Sequence, residues 1–251
     1  MPLRESESIV LKSYNLAEAD RIVVFFTREF GMIRGVAKGS RRTKSKFGSS
    51  LEPFSEVSLE YFEKDDRELV SIQNADLIRS AFSTAAEPER LATYAYVAEL
   101  LIAFAPPHDP NETLYRMVRA CLDAEIRNAA QSAALRLYFE VWILRLGGVL
   151  PDWTNCGVCK RPFRDSGSAT LGAGYDLICG NCSRTSGTEM IAPLHRHLLL
   201  ATKKLAPADF IEEAVDQPAA VSELSSLMRR QISTVIGRSI EHQQFVSAFD
   251  A

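Results

Sequence analysis

Three features of the sequence predict a multidomain α+β protein that starts with a small β-barrel. Five short segments with strand-like patterns fall within the first 80 residues. Helical periodicity follows, and two Cys-x-x-Cys pairs interrupt the helical part at about residues 152–190. We therefore expect one domain over residues 1–80 and an α-helical domain over residues 81–251, with a cysteine-rich ribbon inserted into the helical domain.

The composition is that of an ordinary globular chain. Of the 251 residues, 46% are hydrophobic and 24% are charged. No apolar run approaches the roughly 20 residues that a membrane helix needs. The formal net charge of −3 excludes a uniformly basic nucleic-acid binder, so the distribution of charge along the chain matters more than its sum. No secretory signal is recognisable at the N-terminus, which predicts a reducing, cytoplasmic environment.

The N-terminal strands are predicted from β-branched and aromatic runs and from alternation. In the fourth strand, Val57, Leu59 and Tyr61 point to one face and polar residues to the other. Five short strands with intervening turns have the strand count and size of an OB-fold, a Greek-key barrel. The predicted strands cover residues 8–16, 21–27, a segment from Gly31, residues 54–62 and residues 69–75, with a charged hairpin tip at residues 63–68.

Positive charge is concentrated between the third and fourth strands. Residues 30–51 contain no acidic residue, although charges balance over residues 1–80. Such a cluster neutralises phosphates, and an aromatic side chain beside it can stack on an unpaired base. The alternatives are a solvated loop and flanking phenylalanines that belong to the core. The candidate DNA-binding residues are Arg34, Lys38, Arg41, Arg42, Lys44, Lys46 and Phe47.

The run from Gly39 to Ser45, GSRRTKS, has some of the residues of a phosphate-binding loop. It lacks the glycine that directly precedes the lysine in such loops, which argues against nucleotide hydrolysis.

The helical part is predicted from apolar spacing and from proline and glycine punctuation. A helix opens near Pro88 and ends before two consecutive prolines, and Gly147-Gly148 stops another. The third helix carries an apolar stripe of Leu135, Phe139, Trp142 and Leu146, which we interpret as core. The predicted helices cover residues 87–104, 111–127, 131–146, 193–205 and 218–243. In the last of these, the residues expected to face a core are Val221, Leu224, Met228, Ile232, Val235 and Ile236. Those expected to face solvent or a partner are Arg229, Arg230 and Arg238.

The two Cys-x-x-Cys pairs predict one structural zinc ion held by Cys156, Cys159, Cys179 and Cys182. The pairs are separated by 19 residues, within the range of four-cysteine zinc sites. We expect the glycine after the first cysteine of each pair to help the backbone turn. The alternatives are two disulfides or free thiols, which a reducing compartment makes less favourable.

Four thiolates close the coordination shell of a zinc ion and leave no position for water, so no chemistry is expected there. Lys160, Arg161, Arg164 and Arg184 would offset the excess negative charge. Two histidines, His195 and His197, lie two positions apart on a helix, and we expect them to point to different faces rather than to share a metal. Cys121 is interpreted as a small core residue.

The order of these parts resembles the RecO family of bacterial DNA-repair proteins. The stretch GMIRGVAKGSRRTKSKFGSSLEPFSEVSLEYF is similar to that family's pattern, a basic Lys-Gly-x-Arg-Arg run followed by Leu-x-Pro-Phe at residues 51–54. A helical domain interrupted by paired cysteines is similar as well, and the resemblance covers essentially the full length. It implies an OB-fold, a helical domain and a zinc ribbon, with zinc not required for the core DNA activity.

The resemblance also implies a function: binding of single- and double-stranded DNA and annealing of complementary strands. It implies action with RecR, and with RecF, to load RecA onto DNA coated by single-strand-binding protein. Contact with the acidic C-terminal tail of that coating protein is implied too. We accordingly expect no enzymatic activity and a nucleoid-associated location.

Two other functions compete with a DNA-binding mediator. A nuclease needs clustered carboxylates for divalent metals, and Asp65-Asp66 is the obvious pair, but it sits among mixed charges that indicate a solvated turn. A zinc-ribbon adaptor would bind protein and have no direct DNA activity.

Overall fold

A computed structural model describes residues 3–63, 68–80, 87–163, 167–183 and 189–237. These residues form two compact units, one ending at Asp123 and one starting at Ala124. Most of the predicted charged hairpin tip, with Asp65 and Asp66, lies outside the described residues. The same holds for Arg164, Arg184, Arg238 and the chain beyond it.

The first unit contains the predicted OB-type barrel. Its closed strand order is β1-β2-β3-β5-β4, with β4 returning to β1 and only the β3–β5 pair parallel. β1 starts well before the predicted strand because its polar N-terminal half, which lacks a strand-like pattern, pairs with β4 from Leu3 to Ile9. The strands are β1 (Leu3–Leu16), β2 (Asp20–Thr27), β3 (Gly31–Ala37), β4 (Glu56–Phe62) and β5 (Val70–Arg79).

The barrel is filled by the apolar residues of alternating strand positions. Val57, Leu59 and Tyr61 of β4 are fully buried, so the alternation predicted for this strand is confirmed. Phe47 and Leu51, from the segment between β3 and β4, join the same core. Burying each of these two side chains contributes about 1.5–3 kcal/mol, so the connection between β3 and β4 is fastened to the barrel.

The barrel closes through a short parallel contact between β3 and β5. Gly35 pairs with Val70, and Val36 pairs with Ser71. A Cβ atom added to Gly35 would lie 2.7 Å from Val70 Cγ2 and 2.8 Å from Ile72 Cγ1. The absence of a side chain at Gly35 is therefore what allows the two strands to approach each other around the core.

Two helices, α1 (Pro88–Phe104) and α2 (Glu112–Asp123), belong to the same unit as the barrel. The ring of Phe26 on β2 lies 5.8 Å from that of Tyr115 on α2. Arg28 donates to both carboxylate oxygens of Glu112 at 2.9 Å. The division into domains at residue 80 stays a prediction.

A buried carboxylate also links the barrel to α2. Glu56 is only 4% exposed although it points away from the core face of β4. It pairs with Arg79 of β5 and lies 3.5 Å from Arg119 of α2, while Arg79 also pairs with Asp123. These cations compensate the charge that Glu56 brings into a poorly solvated position.

The second unit contains the remaining helices of the described chain. The second predicted helix ends at Asp123 rather than near residue 127, because Asn128 is extended and caps the next helix, accepting from Gln131 N at 2.9 Å. These helices are α3 (Ala129–Leu146), α4 (Pro193–Lys204), α5 (Pro207–Ala214) and α6 (Pro218–Ile236).

The helix α3 is buried on most sides rather than along one stripe. Leu135 and Phe139 are fully buried as predicted, but Trp142 and Leu146 are only half-buried. The Trp142 indole donates to Thr202 O at 2.9 Å, and a group that needs a polar partner favours the margin of the core. On α6, Val221, Leu224, Met228 and Ile232 are buried as expected, whereas Val235 is 45% exposed near the end of the helix.

The predicted ribbon lies between α3 and α4. Its three short strands, β6 (Ala169–Leu171), β7 (Leu177–Cys179) and β8 (Met190–Ile191), form an antiparallel sheet in the order β7-β6-β8. Trp153 is buried beside this sheet and donates to Tyr175 O at 2.8 Å. The sheet thereby positions Cys179 at the end of β7.

Substitution of Gly31 tests the contact between the barrel and the segment that joins α1 to α2. Gly31 has φ +66°, and a Cβ atom there would lie 2.3 Å from Asp109 O. We expect Gly31→Ala to lower the free energy of unfolding by about 3–4 kcal/mol, through backbone strain and displacement of that segment. Urea denaturation measures the change.

The matched control is Gly48→Ala. Gly48 also has a positive φ, +50°, but no atom lies within 4 Å of its added Cβ. Gly48→Ala should therefore lower the free energy of unfolding by the backbone strain alone, about 1–2 kcal/mol. Equal losses for both variants would contradict the role assigned to the Asp109 contact.

Candidate metal centre and nucleic-acid interface

The four predicted metal ligands come together at the ribbon. The sulfur atoms of Cys156, Cys159, Cys179 and Cys182 all lie within 4.8 Å of one another, and none of the four forms a disulfide. Bonds of about 2.3 Å in a tetrahedron place sulfur ligands about 3.8 Å apart. The Cys159 and Cys179 sulfurs are 3.8 Å apart, the separation of two ligands on one such ion, so the cluster could hold a metal ion of this kind.

Backbone hydrogen bonds hold the first pair of cysteines in a tight turn. Lys160 N donates to Cys156 O at 2.9 Å, and Cys156 N donates to Arg161 O at 2.9 Å. Lys160 has φ +59°, so it is this lysine, and not a glycine, that adopts the left-handed conformation in the turn. Gly157 N donates to Leu177 O at 2.8 Å and thereby joins the turn to β7.

The two glycines of the pairs differ in their roles. Neither has a positive φ, so the expectation that both ease a backbone turn is wrong. A Cβ on Gly157 would lie 3.0 Å from Asp176 Cβ, whereas one on Gly180 would meet nothing within 4 Å. Gly157 provides space for Asp176, the residue that precedes β7, and Gly180 has no comparable neighbour.

The crowded thiols perturb one another's acidity. Burial raises the pKa of Cys156, but backbone N–H donors, first that of Cys179, outweigh this and lower the pKa to about 6. Hydrogen bonding to the sulfurs of Cys179 and Cys159 raises the pKa of Cys182 to about 12. Four thiols in one place therefore do not ionise together easily, whereas a divalent cation would favour all four thiolates. The exposed side chains of Lys160 and Arg161 lie close in sequence to offset the charge.

The two histidines and the fifth cysteine are placed as predicted from the sequence. His195 pairs with Glu223 at 3.0 Å and His197 with Glu213 at 2.6 Å, so the two histidines serve different contacts. Cys121 is fully buried, and burial raises the pKa of its thiol. Within the described residues, the four ribbon cysteines are the only cluster of His, Cys, Asp or Glu side chains that could hold a metal ion.

The basic residues predicted to contact DNA lie on the barrel and in the segment after β3. All six side chains are exposed, which leaves their charges available to a ligand. The six residues, which we call the basic rim, are Arg34, Lys38, Arg41, Arg42, Lys44 and Lys46.

Two members of the basic rim fasten it to the barrel. Arg41 donates to Ala17 O at 3.0 Å, in the loop between β1 and β2, and its backbone N donates to Ala19 O at 3.0 Å. Lys46 contacts Gln73 O on β5. Between these anchors, Arg42 and Lys44 make no side-chain hydrogen bond or ion pair with any described residue. The segment is thus held at both ends with its central charges directed to solvent.

Phe47 is positioned differently from the basic residues beside it. It is 3% exposed and belongs to the barrel core, while Lys46 Nζ lies 5.2 Å from its ring centroid. A buried ring offers no free face to a nucleobase. In this conformation Phe47 anchors the basic rim, which agrees with the core alternative, and it is left out of the proposed DNA contacts.

Tyr14 on β1 is the exposed aromatic residue nearest to the basic rim by strand register. It is 50% exposed, and the Arg34 charge opposes the rise in its pKa that partial burial causes. The sequence shows Tyr14 only as a flanking aromatic. Tyr14 lies two residues after Lys12 in a predicted strand, and this spacing is the signal in the sequence that places both side chains on one face.

The second unit has an open, mostly apolar cavity of about 780 Å³ between the ribbon and α4. Trp153, Phe163 and Leu200 contribute to its apolar lining, and Arg196 and Lys204 contribute positive charge. Arg196 lies 4.8 Å from the centroid of the Phe163 ring and donates to Gly167 O at 2.8 Å. Sequence periodicity predicts the helix but not this cavity, because the two walls come from segments that are distant in the chain.

No helix in the described ranges combines the length and hydrophobicity that a membrane span requires.

Family models match both parts of the chain. The model described as "Recombination protein O N terminal" matches residues 1–81, and that described as "Recombination protein O C terminal" matches residues 85–244. The N-terminal match coincides with the barrel strands, and the C-terminal match spans the helices and the cysteine cluster.

Several curated relatives named "DNA repair protein RecO" are similar over most of their length. The protein of Koribacter versatilis is 34% identical over 189 residues, which is 75% of this chain and 76% of that relative. The Thermodesulfovibrio yellowstonii protein is 30% identical over 239 residues, covering 92% and 93% of the two chains. The Geobacter metallireducens protein is 26% identical over 253 residues, covering 100% and 99%. The chain belongs to the Recombination protein O (RecO) family.

Proposed function

We propose that this chain is a DNA-binding recombination mediator in DNA repair. The observation that carries the proposal is the basic rim, a fixed group of six exposed cations on an OB-type barrel. OB-folds bind oligonucleotides on the face of strands 2 and 3 and on the loops between strands 1 and 2 and between strands 4 and 5. Arg34 lies on β3, and Arg41 contacts the loop between β1 and β2. Membership of a family whose relatives are named for DNA repair supports the same function.

In the proposed mechanism the basic rim neutralises phosphates without reading sequence. Two complementary strands repel each other, and a dense group of cations lowers that repulsion, so both single-stranded and double-stranded DNA are bound and complementary strands are annealed. Each phosphate contact releases counterions, which makes binding weaken steeply as salt rises. No nucleotide is consumed and no bond is cleaved, so the protein is not an enzyme in this proposal.

The proposed partners follow from family membership. We propose that the chain acts with RecR, and with RecF, to load RecA onto DNA coated by single-strand-binding protein, in the cytoplasm and at the nucleoid. The acidic C-terminal tail of the coating protein is a further proposed partner. The cavity beside α4 suits such a peptide because its apolar lining borders the exposed cation of Lys204, while the Glu213 carboxylate in the lining is paired with His197.

The alternative of a protein-binding adaptor without DNA activity predicts no shift of single-stranded DNA at low salt. A nuclease predicts magnesium-dependent cleavage of labelled DNA, and its candidate carboxylates, Asp65 and Asp66, lie outside the described residues. The adaptor assigns no ligand to the exposed basic rim.

Charge reversal at the centre of the basic rim tests the DNA function. Arg42→Glu with Lys44→Glu removes two cations that bond no described side chain, so the fold should persist. We expect at least about tenfold weaker binding of single-stranded DNA at low salt, and a plot of log K against log salt that is less steep by about 1.5. Fluorescence anisotropy across a salt titration measures both, and annealing of complementary strands should slow in parallel.

The matched control is Lys203→Glu with Arg229→Glu, which makes the same charge change at exposed positions of α4 and α6. If both double variants lose affinity equally, binding follows net charge and not the basic rim. Unchanged affinity and slope for Arg42→Glu with Lys44→Glu would refute the assignment.

For the ribbon we propose one structural zinc ion per chain, bound by the four cysteines. We expect Cys179→Ser to reduce the zinc content and lower the melting temperature, because metal binding is coupled to folding of the site. Cys121→Ser is the control, since it removes a thiol outside the cluster and should retain one zinc per chain. Metal analysis and thermal unfolding report the two effects. A metal-free wild type with the same melting temperature as a zinc-loaded sample would contradict this role.

The cavity assignment is tested at Lys204. We expect Lys204→Glu to weaken binding of an acidic peptide with an apolar C-terminus by about tenfold or more, because one attractive charge becomes repulsive. Lys203→Glu is the matched control, being the adjacent exposed lysine that does not line the cavity. DNA affinity should remain unchanged in both variants. Equal peptide affinities for the two variants would place the contact elsewhere.

A further inference from the structure

Three strands of the barrel place six side chains in two adjacent rows on its outer face. Register pairs Lys12 with Val24 and Val24 with Arg34, which forms the first row. Directly opposed residues in a sheet share a face, and so do residues two apart on one strand. The second row is therefore Tyr14, Ile22 and Val36, on the same face as the first.

The intervening residues establish that this face is external. Val23 and Phe25 of β2 and Ile33 of β3 alternate with the row residues and are fully buried in the barrel core. The row residues consequently project away from the core, as strand geometry requires.

The two rows differ in how much of their surface is accessible. In the first row, Lys12 pairs with Glu99 of α1, and Val24 is only 3% exposed, so that row is largely covered. In the second row, Tyr14 is 50% exposed, and Ile22 and Val36 are half-buried. We call this second row of three residues the platform.

Positive charge borders the platform along β3. Arg34 lies two residues before Val36 on the same face of β3. Lys38 is the first residue after β3, and both cations are exposed. Arg34 is close enough to Tyr14 to affect the ionisation of its hydroxyl. The Tyr14 ring offers a surface on which a base can stack. The neighbouring cations of the basic rim can contact the phosphates next to that base.

We propose that the platform binds an unpaired base, which stacks on the ring of Tyr14 while Arg34 and Lys38 contact the neighbouring phosphates. The inference rests on the proposed DNA function and adds to it the preferred substrate, an unpaired strand. Bases of a duplex are stacked on each other and cannot lie on the ring, so Tyr14 selects single-stranded DNA over duplex. The basic rim alone, which contacts phosphates, makes no such selection.

The experiment uses the full chain and three labelled probes of equal length. These are an oligothymidylate, the same oligomer with abasic spacers at its centre, and a duplex. Abasic spacers retain the phosphates and remove the bases, so a comparison of the two single strands isolates stacking from charge. We expect the wild type to prefer the oligothymidylate over the abasic strand by roughly tenfold, the order of one base–aromatic stack.

Substitutions of Tyr14 that remove the ring should abolish that preference without changing the contribution of phosphate contacts to the affinity. Tyr14→Ala and Tyr14→Leu should bind the two single strands equally, while duplex affinity and salt slope stay as in the wild type. Tyr14→Phe should retain the preference because it keeps the ring. Tyr14→Leu preserves apolar bulk, so a loss of preference in this variant is not explained by a cavity in the sheet. Leu77→Ala, at a 44% exposed position on β5, is the control for removing an exposed apolar side chain from the barrel.

The outcomes separate this inference from the proposed function. If Tyr14→Ala keeps the preference for thymine over abasic spacers, or loses duplex affinity to the same extent, stacking at Tyr14 is refuted while the basic rim stands. If the wild type itself binds no probe at low salt, the proposed DNA function fails, and this inference fails with it.

Discussion

Closure of the five-stranded barrel is the constraint on which the first unit depends. The β3–β5 contact is short, and it is possible because Gly35 has no side chain where Val70 and Ile72 approach. Once the ring of strands is closed, its interior must be filled, and the connection between β3 and β4 supplies Phe47 and Leu51 for that purpose. The same closure gives each strand one fixed inner face and one fixed outer face.

This constraint makes one segment serve both the fold and the proposed function. Phe47 is directed into the core, while the residues just before it are exposed cations held at their ends by Arg41 and Lys46. Lysine and arginine side chains lose conformational entropy when a ligand immobilises them, and anchoring the backbone in advance reduces the further cost of ordering the loop. The basic rim is therefore a pre-organised surface and not a free charged loop.

The ribbon of the second unit depends on a different source of stability. A sheet of three very short strands buries little apolar surface, and such small units need a staple. Four sulfurs within 4.8 Å of one another provide the ligands for one, and Trp153 supplies a buried apolar contact beside it. A closed four-sulfur shell suits a structural role, and the proposed DNA contacts lie on the barrel instead.

The sequence by itself determined the features that depend on local pattern. These are the strand alternation at Val57, Leu59 and Tyr61, the helix start at Pro88, and the four-cysteine cluster, which the spacing of the two Cys-x-x-Cys pairs predicts. It could not separate Phe47 from its basic neighbours, because exposure depends on where a closed barrel has space to fill. Nor could it find the Gly31–Asp109 approach, the burial of Glu56 or the Tyr14 platform. Each of these arises when segments distant in the chain meet, so their burial and charge partners were decided only by the tertiary structure.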